Sequence, residues 1–220
     1  FPFTGDLGAR DGDGHKVRDL EEMVRRLGEI PLMFEPGTDW HYSVSLDVMG
    51  LVIQRASGMS FPDFLQRRLF DPIGMDDTVW QLRPGDARRL AAVHDYAGEG
   101  RVPAAGASAE AYSAPVTLFA GGAGLVSSTR DYLAFMTTLL DGGRAGRVVV
   151  MKPETAQLIR TNILPEGARP DWSPDDGFGF GGMVVNSTKP NAGTYGWSGA
   201  AGTNAWLDPT NNLACVIMQQ

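Results

Sequence analysis

Few stretches of this 220-residue sequence combine side chains that could do chemistry together. One is His41-Tyr42-Ser43-Val44-Ser45, where a phenol stands among small hydroxyl residues at the mouth of an apolar run. Either the ring fills a gap beside a helix start, or the phenol transfers protons. Taken alone, Tyr42 reads as packing more readily than as catalysis. The other hydrolytic arrangements fall away. A Ser-His-Asp triad needs its serine on a sharp G-x-S-x-G turn. The nearest approach, Gly196-Trp197-Ser198-Gly199-Ala200, lacks the final glycine. His15, His41 and His94 fit no relay and read as structural or exposed. The carboxylate pairs Asp76-Asp77 and Asp175-Asp176 are adjacent, so each pair points apart and reads as turn-forming. The run Asp11-Gly12-Asp13-Gly14 lacks the third acidic ligand and terminal glutamate of a calcium loop. A single cysteine, Cys215, sits in an apolar strand and reads as core, which excludes an internal disulfide and a cysteine zinc site. What remains is Tyr42 and the strand Tyr195 to Ala200.

The elements that must position these residues can be read from period and punctuation. Asp19 to Leu27 places Leu20, Met23, Val24 and Leu27 on one helical stripe that Gly28 ends. Ser45 to Ser57 is a second helix, with Leu46, Met49, Gly50, Ile53 and Ala56 on its inner face and Ser43 or Ser45 as cap. Ser60 caps a third, which buries Phe61, Phe64, Leu65 and Leu69 and stops near Gly74. Residues 83–118, rich in Ala, Gly and Pro, read as irregular. Gly121-Gly122-Ala123-Gly124 brings backbone close to something; no lysine follows to make it a phosphate cradle. Thr129 opens a helix closed by Gly142-Gly143, and Pro153 to Arg160 is a shorter one. Residues 178–185, 193–199, 202–209 and 212–219 then read as consecutive strands. Helices followed by hairpin-linked strands predict an α+β fold, an antiparallel sheet flanked by helices, with no linker to split it.

Composition bounds the function. Hydrophobic residues make up 43%, enough for a real core. A formal charge of −7 repels phosphate backbones and anionic lipids, so nucleic-acid and membrane partners are not expected. No apolar run reaches transmembrane length. The absence of cysteine pairs favours the cytoplasm over the periplasm without deciding it.

Three separated segments together resemble one family. FEPGTDWHYSVSLDVMGLVIQRASGMSFPDFLQRRLFDPIGMDDTVW (34–80) resembles the segment around the catalytic tyrosine of class C serine β-lactamases and their relatives. FAGGAGLVSSTRDYLAFMTTLLDGG (119–143) resembles their glycine-rich turn and following helix, and YGWSGAAGTNAWLDPTNNLACVIMQ (195–219) their edge strand and hairpin. The resemblance implies a β-lactamase/transpeptidase-like fold across one domain, 1–220, incomplete at both ends. It puts Tyr42 where the family's Y-x-N motif has its tyrosine, the group that shuttles a proton between serine nucleophile and leaving group. Val44 falls on the motif's asparagine. Trp197-Ser198-Gly199 replaces K-T-G, and the N–H of Ala200 falls where the family has half its oxyanion hole.

Both departures carry chemistry. A valine offers no hydrogen bond, and an indole offers one donor and no formal charge. Val44, Trp197, Ser198 and Gly199 therefore shape a site for neutral acyl groups rather than anionic β-lactams. The pattern is similar to family VIII carboxylesterases and to a fungal acyltransferase that finishes statin side chains. The resemblance implies a serine hydrolase of small-molecule carboxylic esters that works through an acyl-enzyme with no metal or organic cofactor. An acyltransferase, a weak β-lactamase, a D-amino-acid peptidase or a non-catalytic binding module remain as alternatives. S-x-x-K occurs nowhere in these residues, whose lysines are Lys16, Lys152 and Lys189. The nucleophile and its lysine are expected on a missing N-terminal segment, in the same polypeptide or on a separate chain. The 220 residues alone are expected to be inactive.

Overall fold

The computed structural model describes residues 17–97, 100–104, 108–170, 173, 175–186 and 188–219. His15 and the Asp11–Gly14 run lie outside them.

The described residues begin helical. Helix α1 (Leu20–Leu27) is capped by the Asp19 side chain, which accepts the Glu22 N–H, and it buries Leu20 and Met23. Helix α2 (Ser45–Ser57) ends on Gly58 in the left-handed region, as the glycine stop predicts. Ser60 caps α3 (Phe61–Leu65) by accepting the Asp63 N–H. The helix then widens into a π-turn at Gln66–Phe70 and resumes as α4 (Asp71–Ile73) before Gly74 ends it. Pro72, which has no N–H to give, explains the break in the α ladder.

Two expectations for α2 need correction. Its cap residue is Val44, and no side chain caps it, so neither Ser43 nor Ser45 does so. Its inner face carries Asp47, Gly50 and Leu51, whereas Leu46 and Met49 are each 47% exposed. Apolar residues surround this helix too widely for period alone to choose a face. Packing chooses it: Leu20 and Phe61 press on Gly50, where a Cβ would lie 3.2–3.3 Å from their side chains.

The stretch read as irregular holds short regular pieces. A 3-10 turn spans Asp86–Arg89. Strands β1 (His94–Ala97) and β2 (Gly100–Pro103) form a hairpin, and α5 (Ala109–Ser113) starts on the Ser108 cap. Helix α6 (Thr129–Leu140) is capped by Ser128 and buries Met136 and Leu139. A small hairpin of β3 (Arg144–Ala145) and β4 (Val148–Val149) follows, then α7 (Pro153–Ile159).

The last fifth is a five-stranded antiparallel sheet in sequence order: β5 (Gly177–Phe178), β6 (Met183–Val184), β7 (Tyr195–Ser198), β8 (Thr203–Asp208) and β9 (Leu213–Met218). The run read as one strand over 178–185 is two, because glycines 179, 181 and 182 turn the chain between β5 and β6. Helix α6 lies across β8 and β9. Met136, Leu139, Tyr195, Ala205 and Leu207 form the core between them. A second core gathers Val17, Leu20, Met23, Leu51 and Phe61 from the helical segment. The arrangement is α+β: helices first, then an antiparallel sheet with α6 packed on it.

The approach to β5 is fixed by Asp176, 5% exposed. Its carboxylate accepts from Lys189 Nζ at 2.7 Å, Ser173 Oγ at 2.6 Å and the Asn186 N–H at 3.0 Å. Burial works to raise its pKa, but these donors prevail and hold it below the ordinary carboxylate value. A folded pKa below the unfolded one stabilises the fold above about pH 4, and that contribution is lost as pH falls through the lowered value. Asp176→Asn is therefore expected to cost about 1–3 kcal/mol near pH 7. The gap from wild type should narrow as the pH drops below about 4. Urea melts at a series of pH values check this.

Candidate active site

The segment that carries Tyr42 runs without regular structure into α2. Val44, two residues on, is half-buried and packs against the helical core around Leu20, Leu51 and Phe61, not among the rings described next. Tyr42 itself is 58% exposed, with its ring stacked on Trp197: centroids 5.9 Å apart, planes inclined by 24°. Trp197 stands near the end of β7, two residues past Tyr195 and on the same face of the strand. Tyr195 is buried over α6, and the indole emerges where that core ends.

Two further rings complete the group. Phe178 meets Trp197 edge-on at 5.2 Å and Trp40 at 4.9 Å, and Trp40 closes on Tyr42 at 6.4 Å. Four rings thus form a closed circuit joining the Tyr42 segment, β5 and β7. The reading of the sequence did not single out Trp40 or Phe178. Trp40 carried a faint signal, since it stands two residues before Tyr42, the spacing that puts extended residues on one side. Phe178 carried none, because only the β5–β6 turn brings it over β7.

The turn after β7 holds the other expected residues. Gly199 N–H donates to Thr203 O at 2.8 Å and Gly202 N–H to Gly199 O at 3.1 Å. Gly202 has φ 84°, a left-handed conformation that suits glycine. A Cβ at Gly199 would collide with Thr203 Oγ1. Ser198 Oγ accepts from Asn204 Nδ2 at 2.9 Å across β7 and β8. Ala200 is exposed in this turn, and its N–H makes no hydrogen bond within the described residues. A cavity of about 730 Å³ begins at Ala201 and Thr203 and extends over Tyr132 and Phe135 of α6 to Gly121 and Leu65. Tyr42, Trp197 and the Ala200 turn therefore lie at one end of the sheet.

Other titratable groups are spent structurally. Asp77 and Asp86 pair with Arg83 and Arg89, which hold both carboxylates below their usual range. His41 and His94 are exposed. Among the described residues no group of three or more His, Cys, Asp or Glu could hold a metal ion, and no helix is long and apolar enough to cross a membrane.

Tyr195 supports the ring circuit from beneath. Its hydroxyl donates to Phe180 O at 2.7 Å and so ties down the β5–β6 turn beside Phe178. Burial, with a lesser contribution from Tyr132, raises its pKa and keeps the phenol a donor.

The sequence pattern of the family described as Beta-lactamase matches residues 2–220. Protein Rv1367c of Mycobacterium tuberculosis is 30% identical over 88% of this chain and 52% of its own length. Esterase EstB of Burkholderia gladioli is 29% identical over 96% of this chain and 57% of its own. The solved structure described as EstCE1, a hydrolase with promiscuous acyltransferase activity, superimposes with a TM-score of 0.72. It is 26% identical over 90% of this chain and 55% of that one. The chain thus spans about half the length of the curated relatives it matches.

Removing the Tyr195 hydroxyl leaves the Phe180 carbonyl without its donor. Tyr195→Phe is expected to lower the unfolding free energy by about 1–2 kcal/mol and to leave the helical circular dichroism unchanged, as chemical denaturation would show.

Proposed function

The chain belongs to the beta-lactamase family, and from that premise we propose that it carries the proton-shuttling tyrosine and one oxyanion donor of a serine hydrolase that cleaves carboxylic esters. The observation that supports this most directly is the stack of Tyr42 on Trp197, which joins the Tyr42 ring to the strand whose following turn holds the uncommitted Ala200 N–H. Likeness to an esterase, EstB, favours an ester over a β-lactam.

In this reading a serine hydroxyl attacks the ester carbonyl while the Tyr42 oxygen takes its proton. The Ala200 N–H and the serine's own N–H hold the oxyanion of the tetrahedral intermediate. Tyr42 returns the proton to the departing alcohol, leaving an acyl-enzyme. A water then gives Tyr42 a proton and attacks the acyl carbon, and as the acid departs Tyr42 returns the proton to the serine oxygen. The serine, with the lysine that keeps Tyr42 poised, comes from the part of the whole protein outside these residues, since S-x-x-K is absent from them. We assign the cavity beside Ala201 and Thr203 to that segment. Trp197 presents an apolar wall without formal charge, suited to neutral acyl or alcohol groups, whereas Val44, turned into the helical core, supports the segment that carries Tyr42. Ser198 and Gly199 shape the strand end on which Ala200 sits.

A second reading replaces water by an alcohol acceptor, making the enzyme an acyltransferase. The described acyltransferase activity of EstCE1 favours it. The two separate when an alcohol is added to a p-nitrophenyl ester assay and both products are quantified.

In the whole protein, Tyr42→Phe keeps the ring stack but removes the proton carrier. It is expected to lower kcat for short p-nitrophenyl esters by about 10²–10⁴-fold with KM little changed. A loss of only a few fold would remove Tyr42 from the mechanism.

A further inference from the structure

Asp47 takes no part in the steps above, yet it is a carboxylate only 8% exposed in the first turn of α2, five residues after Tyr42. Among the described residues no lysine or arginine pairs with it. What it does contact is backbone: its Oδ1 accepts the Gly122 N–H at 2.9 Å. Burial raises its pKa, opposed by the N–H groups of Gly122, Gly121 and Asp47 itself. A buried carboxylate without a cation is costly, so the contact it makes needs a reason.

The reason lies in what that contact joins. The glycine turn is pressed onto the start of α2: a Cβ at Gly121 would collide with the Leu46 carbonyl oxygen, and one at Gly122 would lie 3.4 Å from Asp47 Oδ2. The turn leads through Val126, which pairs with Val79, into α6, and α6 packs on the sheet that holds Trp197. His41, Tyr42 and Ser43 are exposed, lie outside regular structure and run directly into the first turn of α2.

We propose that Asp47 is a positioning residue for Tyr42: its carboxylate clamps the first turn of α2 to the Gly121-Gly122 turn and thereby sets the register between the Tyr42 and Trp197 rings. The catalytic meaning of this clamp rests on Tyr42 being the proton shuttle; the clamp itself does not.

The test uses the whole protein and its Asp47→Ala and Asp47→Asn variants. Nuclear magnetic resonance follows the Tyr42-to-Trp197 ring NOE, and hydrogen exchange follows the Gly122 amide. In Asp47→Ala the amide is expected to exchange about tenfold faster, the equivalent of one lost hydrogen bond, and the ring NOE to disappear while the circular dichroism stays native. Asp47→Asn keeps an acceptor at Oδ1 and is expected to retain both signals. A purely structural aspartate would change exchange and stability but not ring geometry, so an intact NOE in folded Asp47→Ala overturns the proposal. Should that variant fail to fold, Asp47→Glu decides: its longer arm must shift the rings, and wild-type ring contacts there would equally refute the clamp. A broken NOE together with a harmless Tyr42→Phe would leave the clamp standing and defeat the shuttle reading instead.

Discussion

The contact on which the site depends is the stacking of two rings that lie far apart in the sequence, Tyr42 at the head of the helical segment and Trp197 at the end of β7. An aromatic pair adds only about 0.5–1.5 kcal/mol beyond its buried area. That is too little to hold an exposed, irregular segment against the entropy of ordering several residues, at roughly 1–2 kcal/mol each. The rings therefore meet because larger structures put them there. Val44 seats the segment in the helical core, and Tyr195 seats β7 over α6. The stack reports the register between the two cores more than it creates it.

This division explains what was legible in the sequence. Helix ends were, because capping is local chemistry: Asp19, Ser60, Gly58 and Gly74 each act within one turn of their own position. The hairpin of β8 and β9 was legible too, since alternation and an Asp-Pro-Thr-Asn turn suffice for it. The inner face of α2 was not. Leu46, Val48, Met49, Leu51, Val52 and Ile53 leave no polar side to exclude, and the face was settled by Leu20 and Phe61 from other helices. The pieces within 83–118 were missed for a related reason: elements of four or five residues have too little period to show above an Ala-, Gly- and Pro-rich background.

The glycine turn at 121–124 lies between these cases. Four small residues announced a close approach of backbone, and the approach is there. Its partner could not be named in advance, because the crowding atom is a carbonyl oxygen of α2, and every residue has one. Asp47 illustrates the same limit. A lone carboxylate among Leu46 and Val48 looks like a solvated position, and only the fold reveals that its acceptor faces inward toward the turn.

The departures from the β-lactamase pattern take on a physical sense once the rings are seen together. A lysine at position 197 would bring a mobile, strongly hydrated charge to a strand end that here is walled by Phe178, Trp40 and Tyr42. Desolvating that charge against three rings would cost more than cation–π attraction of about 0.5–2 kcal/mol returns. An indole fits the same place with its edge on one ring and its face on another. The strand end so built offers flat apolar area where a lysine would offer a cationic anchor for a carboxylate. Were an acyl group to rest against these rings, shape rather than charge would discriminate, and one methylene is worth only about 1–3 kcal/mol.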